Sequence, residues 1–295
     1  MVFTKMQGAG NDYVYIDASE EYIPNPSLTA RMISDRHFGV GSDGLVLILP
    51  GDEECDFRMR MFNSDGSEAG MCGNASRCVG KYVYDRGLTD QTEIRLGTAS
   101  GVKMLQLILK DGVVRQVRVD MGQPKLAPEA IPTLLEANDT FAISEGESSP
   151  ALIHQLIPIQ RNPYPVTCVN MGNPHAVFFI ENVEGWNVKK WGRIVETHEA
   201  FPERVNVEFA HVENPERIRM RVWERGAGET MACGTGACAT LVAAVMNGLT
   251  RRKAVLELNG GELEIEWDEK SNHIWMTGPA EFVFEGQWPL TNQMR

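Results

Sequence analysis

The sequence predicts an α+β fold of two pseudo-symmetric domains, each a β-barrel-like set of mostly antiparallel strands around a central helix. The main observation is a repeat: Cys72-Gly73 and Cys233-Gly234 each precede an apolar, helix-like run. A glycine that can end the helix, Gly87 or Gly248, follows each cysteine at the same distance. Alternating, strand-like segments surround both runs. Together these observations indicate an internal duplication.

Further matches extend the repeat and set the predicted domain boundaries. A glutamate lies four residues before each cysteine, Glu68 in one half and Glu229 in the other. Each half also ends in a similar segment, 121–124 or 276–279. We therefore expect a first domain over residues 1–118, completed by a C-terminal strand within 279–295, and a second domain over residues 119–278.

The first half alternates between strands and glycine-rich turns. A helix is expected over residues 27–36, with Ser27 as a possible N-cap. The first turn leads into a strand, where a dinucleotide-binding fold needs a helix, so we interpret it as a turn that positions Asn11. The predicted strands cover residues 2–6, 13–17, 45–49, 57–63, 92–97, 102–109 and 113–119, the last two joined by an Asp-Gly hairpin turn.

The second half repeats much of this order. Residues 124–165 show little regular pattern before 151–156, and we expect loops with a short helix or strands there. A helix is expected over 186–197. The predicted strands cover residues 166–169, 176–180, 205–210 and 218–224, followed by a strand over 280–286 that has no counterpart and is expected to return to the first domain.

Composition limits the classes of partner. The formal net charge of −12 argues against nucleic acid or an anionic membrane surface, because neither is attracted to an acidic protein. No signal-like segment and no apolar stretch of membrane-spanning length is evident, so we expect a cytoplasmic protein that acts on a small molecule. In that compartment the six cysteines are expected to be free thiols.

The two Cys-Gly segments suggest proton-transfer chemistry. A helix start carries unpaired N–H groups and partial positive charge, which lowers the pKa of a thiol and receives a carboxylate. With Cys72 and Cys233 at equivalent places, we expect a site between the halves that one thiol reaches from each side. Such a site can remove a proton from one face of a carbon and return it to the other.

Other roles for the cysteines are weaker. Cys55, Cys78, Cys168 and Cys238 are interpreted as small buried apolar residues. Cys72 and Cys78 are six residues apart, and Cys233 and Cys238 are five apart; neither spacing fits a Cys-x-x-Cys zinc site, so no metal is expected. A Cys72–Cys233 disulfide remains open as an oxidised, inactive form.

A nucleophilic cysteine with a histidine base is a further alternative for this chain. His175 could serve as that base in acyl-transfer chemistry. That hypothesis leaves the second cysteine loop unexplained. The proton-transfer interpretation accounts for both loops.

The order of motifs resembles the diaminopimelate epimerase family over almost the whole chain, and the two cysteine loops are its most specific part. The motifs are Asn11 in a Gly-x-Gly-Asn-Asp turn, Asn63-x-Asp-Gly-Ser-Glu before Met71-Cys72-Gly73-Asn74, Gly172-Asn173-Pro174-His175, Val205-Asn206-Val207, and Glu224-Arg225-Gly226 through Cys233-Gly234-Thr235-Gly236.

The resemblance implies a cofactor-independent epimerase that interconverts LL- and meso-2,6-diaminopimelate, works as a homodimer and needs no pyridoxal phosphate. Cys72 and Cys233 would be its acid/base pair, and His175 and Glu224 would support them. The resemblance further assigns substrate contacts to Gly73, Asn74, Gly234 and Thr235 at the helix starts, and to Asn11, Asn63, Asn173, Asn206, Glu224 and Arg225.

Departures from the family pattern leave the substrate open. Many members carry Gln where Gly44 stands and Gly where Ala75 stands, and Ser76 follows here. A racemase of another amino acid would keep both cysteines but would not need every far-end contact. A binding protein with a decayed site is the alternative from another class, although such decay normally erodes the reactive residues.

Overall fold

Residues 1–19, 21–144 and 146–289 are described by the computed structural model of the chain. The chain divides into two compact units, Met1–Asp120 with Thr277–Arg295, and Met121–Met276. The part of the predicted C-terminal segment that covers residues 290–295 lies outside the described residues. None of the helices within the described ranges is long and apolar enough to cross a membrane.

Strands dominate both units. They are β1 Val2–Gly8, β2 Asn11–Asp17, β3 Gly44–Pro50, β4 Phe57–Asn63, β5 Glu68–Ala69, β6 Glu93–Thr98, β7 Gly101–Lys110, β8 Val113–Gly122, β9 Asp139–Ser144, β10 Glu147–Ile159, β11 Asn162–Asn170, β12 Pro174–Phe179, β13 Asn206–Asn214, β14 Arg217–Glu224, β15 Gly228–Thr230, β16 Lys253–Leu258, β17 Gly261–Trp267, β18 Ile274–Pro279 and β19 Glu281–Gln287. The helices are α1 Pro26–Ser34, α2 Gly73–Asp85, α3 Val188–Glu196 and α4 Gly234–Met246, with a 3₁₀ turn at Pro128–Ala130.

In the first unit, strands surround the helix α2. β1 pairs antiparallel with both β2 and β19. β2 runs parallel to β3, β3 antiparallel to β4, and β4 parallel to β6. β6, β7 and β8 continue as antiparallel neighbours. Cys78, Val79 and Val83 of α2 are fully buried, so this helix forms the core around which the strands are arranged.

The second unit repeats this order around α4. β12 runs parallel to β13, β13 antiparallel to β14, and β14 parallel to β16, as β2, β3, β4 and β6 do in the first unit. The helix α4 is apolar on nearly every side and lies against β11, β12, β13, β16 and β17. The predicted α+β class, with two repeated strand-rich units around central helices, is confirmed.

Local details correct one expectation and confirm another. Asn25, and not Ser27, caps α1: its side-chain oxygen accepts a hydrogen bond from Leu28 N at 3.1 Å, and Pro26 takes the first helical position. Ser27 instead donates its hydroxyl hydrogen to Gly66 O at 2.7 Å. The predicted Asp-Gly hairpin is confirmed, since Asp111 and Gly112 adopt φ values of 55° and 75° between β7 and β8.

Residues 124–165 contain more strand than the sequence indicated. β9, β10 and the start of β11 lie in this region. A register shift between Leu152 and Gln155, with His154 at φ 52°, interrupts the pairing of β10 with β11. Such a bulge breaks the alternation of apolar and polar residues by which a strand is recognised.

Candidate active site

Cys72 is the N-cap of α2 in the first unit. Its backbone is extended, with φ −136° and ψ 122°, and its side chain makes no capping hydrogen bond to the helix. The thiol instead points to Asn11 Oδ1, with Sγ 3.4 Å from that oxygen. Gly73 and Asn74 form the first turn of α2, where N–H groups lack a partner one turn earlier in the chain.

The Asn11 amide has a fixed orientation in the structure. Its Nδ2 donates to Asp43 Oδ2 at 2.7 Å, so its oxygen is left to accept from Cys72 and from Asn74 Nδ2 at 3.3 Å. Asn74 is itself held, because Arg77 Nη2 donates to its Oδ1 at 2.8 Å. Asn11, Cys72 and Asn74 thus form one connected cluster in the first unit.

Asp43 belongs to a charged network that anchors the Asn11 turn. Arg36 Nη2 lies 2.9 Å from Asp12 and 3.0 Å from Asp43. Although burial opposes it, hydrogen bonds from Arg36 and Lys5 lower the pKa of Asp12, whereas burial and the Asp12 charge raise the pKa of Asp43. Sequence reasoning missed Asp43, although it follows a glycine loop directly before β3.

Asn63 and Gly44 lie opposite each other at the ends of β4 and β3. Asn63 Nδ2 donates to Ser67 Oγ at 3.0 Å. A Cβ at position 44 would lie 2.0 Å from Phe62 O and 2.7 Å from the Tyr13 ring. The backbone and Tyr13 therefore leave no room for a side chain where the family often has Gln. Ala75 and Ser76 are fully buried, and Ser76 Oγ donates to Cys72 O at 3.0 Å.

Cys233 is the corresponding N-cap of α4 in the second unit. Its sulfur accepts the Gly236 N–H at 3.4 Å and lies 3.4 Å from Thr235 Oγ1. Gly234 and Thr235 form the helix start, as predicted. Only 5% of Cys233 is exposed.

The electrostatics of Cys233 differ from the expectation of a lowered pKa. Burial raises its pKa well above the usual range, and the charges of Glu224 and Glu208 raise it further, against the hydrogen bonds from Thr235 and Gly236. Burial likewise raises the pKa of Glu224, although hydrogen bonds with Thr230 and Cys233 and the charge of His175 oppose this. In this half, desolvation outweighs the effect of the helix start.

His175 lies in a buried polar cluster on β12 and β13. Its Nδ1 lies 2.7 Å from Glu208 Oε1, and its Nε2 lies 2.9 Å from Asn173 Oδ1. The parallel pairing sets His175 beside Asn206, and Glu208 follows two residues later on the same face of β13. The sequence analysis missed Glu208. An acidic residue two positions after Asn206 in an apolar strand lies on the same strand face, and this was a usable signal.

Asn206 links neighbouring loops of the second unit. Its Oδ1 accepts from Arg225 N at 2.9 Å, and its Nδ2 donates to Pro174 O at 2.9 Å. Arg225 Nη1 donates to Glu203 O at 3.0 Å. Glu224, at the end of β14, accepts the Thr230 hydroxyl hydrogen. The predicted second-half residues therefore form two groups, one around His175 and Asn173 and one around Asn206 and Arg225.

The two glutamates that precede the cysteines have structural partners. Arg60 donates to both carboxylate oxygens of Glu68, at 2.8 and 2.9 Å, across the β4–β5 pair. Arg221 meets Glu229 across β14–β15, where Nε at 2.8 Å and Nη2 at 2.7 Å both face the single oxygen Oε1. The repeated Glu thus closes the hairpin that leads to each cysteine. All six cysteines are free, and Cys55, Cys78, Cys168 and Cys238 are buried.

Solved structures share this fold. A phenazine biosynthesis protein of the PhzF family from Bacillus anthracis matches with a TM-score of 0.68 and 15% identity, over 98% of this chain and 99% of that one. A hydroxyproline epimerase from Agrobacterium vitis matches with a TM-score of 0.66 and 15% identity, over 98% of this chain and 90% of that one. The fold therefore defines the class: two-unit α+β proteins that include this phenazine biosynthesis protein and this epimerase.

Sequence comparison gives the family within that class. The family model described as diaminopimelate epimerase matches residues 3–127 and 167–283. A diaminopimelate epimerase from Acetivibrio thermocellus is 55% identical over 290 residues, which cover 98% of this chain and 99% of that protein. A diaminopimelate epimerase from Methanococcus maripaludis strain C5 is 54% identical over 287 residues, which cover 97% of this chain and 99% of that protein. The chain belongs to the diaminopimelate epimerase family, and it is an isomerase.

Proposed function

We propose that this protein interconverts LL-2,6-diaminopimelate and meso-2,6-diaminopimelate without a cofactor, by a two-base mechanism in which Cys72 and Cys233 exchange the roles of thiolate and thiol. The observation that carries the proposal is the repeated local construction. Each cysteine is the N-cap of the central helix of its own unit, and each of these helices begins with glycine.

The helix starts fit the charge that develops in such a reaction. Loss of an α-proton builds negative charge towards the neighbouring carboxylate, and preorganised N–H groups at Gly73-Asn74 and Gly234-Thr235 stabilise that charge most in the transition state. The electron-withdrawing role of a pyridoxal cofactor is then taken by backbone dipoles. In the proposal one sulfur removes the α-proton, and the other donates a proton to the opposite face.

The surroundings of the two sulfurs suggest how each is prepared. Cys72 faces an acceptor, Asn11 Oδ1, and therefore presents its hydrogen to that oxygen. Cys233 has a raised pKa and lies beside Glu224, whose own pKa is raised, so that Glu224 is the neighbouring group suited to take the proton of Cys233. His175 would support this half of the site through its charge.

The polar residues around the sulfurs would bind a substrate that carries an amino acid group at each end. In the proposal, Asn11 and Asn74 lie near the reacting end. The remaining contacts, mainly for the far amino acid group, come from Asn63, Asn173, Asn206, Glu224 and Arg225. We also propose that the protein is a cytoplasmic homodimer, as expected for the family, with a small molecule as its substrate.

Chiral analysis of the products tests the substrate assignment. Purified protein is incubated separately with LL-diaminopimelate, proline and hydroxyproline, and the stereoisomers are separated. Meso-diaminopimelate should form from the first and no epimer from the others. Epimerisation of proline or hydroxyproline alone would favour the racemase alternative.

Cysteine variants test the binding-protein alternative. Cys72→Ala and Cys233→Ala should each abolish turnover and keep the far-ultraviolet circular dichroism of the parent. Cys55→Ala is the matched control, because it removes a buried thiol outside both helix starts, and it should retain turnover. Equal activity of all three variants contradicts the two-thiol mechanism.

A further inference from the structure

The charge of the buried Glu208 raises the pKa of Cys233, but the two-thiol scheme assigns this carboxylate no contact with the substrate. Glu208 and His175 are both 0% exposed. Oε1 of Glu208 lies 2.7 Å from His175 Nδ1, while Oε2 is buried and has no hydrogen-bond partner among the described residues. A buried carboxylate with an unused oxygen is costly unless it is charge-paired, so its contact with His175 needs an explanation.

Both ring nitrogens of His175 face oxygen acceptors. Nδ1 meets a carboxylate oxygen of Glu208, and Nε2 lies 2.9 Å from Asn173 Oδ1. An oxygen acceptor opposite each ring nitrogen is the arrangement that suits a ring with a hydrogen on both nitrogens. The Glu208 carboxylate supplies the opposite charge that makes this form stable away from water.

The contact with His175 leaves one side of the Asn173 amide free. Asn173 Oδ1 faces Nε2 in the structure, so Nδ2 is turned away from the ring. Asn173 Nδ2 has no acceptor among the described residues of the second unit, and Asn173 is only partly buried. The amide therefore presents a hydrogen-bond donor, which suits an anionic group such as a carboxylate.

The first unit lacks this arrangement. Its β2–β3 pair sets Tyr13 beside Gly44, where β12–β13 sets His175 beside Asn206. Two residues further along, Val46 occupies the position that corresponds to Glu208. The ionic pair is therefore a feature of the Cys233 half alone, and the repeat itself does not require it.

We propose that Glu208 is a positioning residue that keeps His175 doubly protonated and, through it, fixes Asn173 with its Nδ2 directed at a substrate carboxylate. This inference rests on the proposed function for the identity of the substrate. The protonation of His175 and the orientation of Asn173 do not depend on turnover. Glu208 touches no substrate and acts through two other side chains.

Nitrogen NMR of the protein labelled with ¹⁵N-histidine tests the first step. The signal of His175 is assigned by its loss in His175→Asn. At pH 7.5 the parent protein should show two protonated ring nitrogens for His175, and Glu208→Gln should show one. A singly protonated His175 in the parent overturns the proposal, even if Glu208→Gln does not fold.

Steady-state kinetics test the second step. Glu208→Gln should raise KM for LL-diaminopimelate roughly tenfold or more, the worth of one hydrogen bond to a charged group, and change kcat less. Glu196→Gln is the matched control. Glu196 is also a buried glutamate of this unit, but it accepts hydrogen bonds from Trp223 and Gly226, at 2.7 and 2.9 Å, and not from His175.

The two readouts separate the proposal from the proposed function. Glu196→Gln should leave the His175 spectrum unchanged. If the parent does not turn over diaminopimelate but the nitrogen signals change as stated, the assigned substrate is wrong and the control of His175 protonation by Glu208 stands. If Glu208→Gln leaves both the His175 signals and KM unaltered, Glu208 has no positioning role.

Discussion

Replacing Gly236 with alanine is expected to disturb Cys233 and Glu208 together. Gly236 lies in the first turn of α4, and its N–H donates to Sγ of the N-cap residue Cys233. A Cβ built at this position would lie 2.7 Å from Glu208 Oε1 and 3.3 Å from both Cβ and Sγ of Cys233. Glu208 is fully buried and held by His175, so it cannot rotate into solvent.

Two opposing effects set the size of the change in stability. Alanine favours a helix over glycine by about 0.5–1 kcal/mol, and overpacking in a tight core costs about 1–3 kcal/mol. We expect Gly236→Ala to lower the free energy of unfolding by about 1–2 kcal/mol. The displaced sulfur should lower kcat by roughly tenfold or more, since small shifts of a reacting group cost much of its rate.

Gly80→Ala in α2 provides the matched control. Its Cβ would lie 3.0 Å from Leu107 Cδ2 and 3.2 Å from Leu105 Cδ1, and both of these are ends of flexible side chains. Urea unfolding and steady-state kinetics are measured on both variants. We expect Gly80→Ala to keep its kcat, with a change in stability within about 1 kcal/mol. Parent-like stability and kcat in Gly236→Ala would refute the geometry of this half of the site.

Three other predictions follow from buried groups. Asp85→Ala removes the carboxylate that lies 2.6 Å from the buried Lys81 ammonium. The variant should lower the free energy of unfolding, measured in urea, by about 3–5 kcal/mol. If the double variant Asp85→Ala with Lys81→Met recovers none of this stability, the isolated charge is not the cause. At pH 7.5 iodoacetamide should modify Cys233 slowly, and the rate should increase with pH, because little thiolate is present below a raised pKa. The variant Glu224→Gln removes a charge that raises this pKa, so it should be modified faster. An unchanged rate in this variant would contradict the assigned cause. Burial raises the pKa of Cys78 to about 11. Mass spectrometry after iodoacetamide treatment of the native protein at pH 8 should therefore find this thiol unmodified. Rapid labelling of Cys78 would mean that α2 opens.

The sequence predicted the repeat well because the repeat is encoded by local signals. Glycine on each side of the central helices, alternation in the strands and the Asp-Gly turn each determine structure over a few residues. Alternation over residues 57–63 gave the bounds of β4 as the structure has them. The bulge in β10 shows the limit of such signals, because one residue out of register hides the pattern on which strand recognition depends.

The helix-start setting of the two cysteines was predicted, and the electrostatics of Cys233 were missed. Cys72 and Cys233 stand at helix starts, as expected, because the glycines after them permit that geometry. The raised pKa of Cys233 was not foreseeable, since it depends on burial and on Glu208, which comes near the sulfur only through strand pairing. Asp43 was missed for the same reason: its contact with Asn11 joins residues far apart in sequence.

Single-turnover epimerisation in deuterated water tests the two-thiol mechanism most directly. LL-Diaminopimelate with ordinary hydrogen at both α-carbons is mixed with excess protein in D₂O, and product and remaining substrate are analysed early in the reaction. Two thiols with separate roles should give meso product that carries deuterium at the inverted carbon, beside recovered substrate that is nearly free of label. Product that retains the original hydrogen would mean that one group moves the proton across, and would contradict the account.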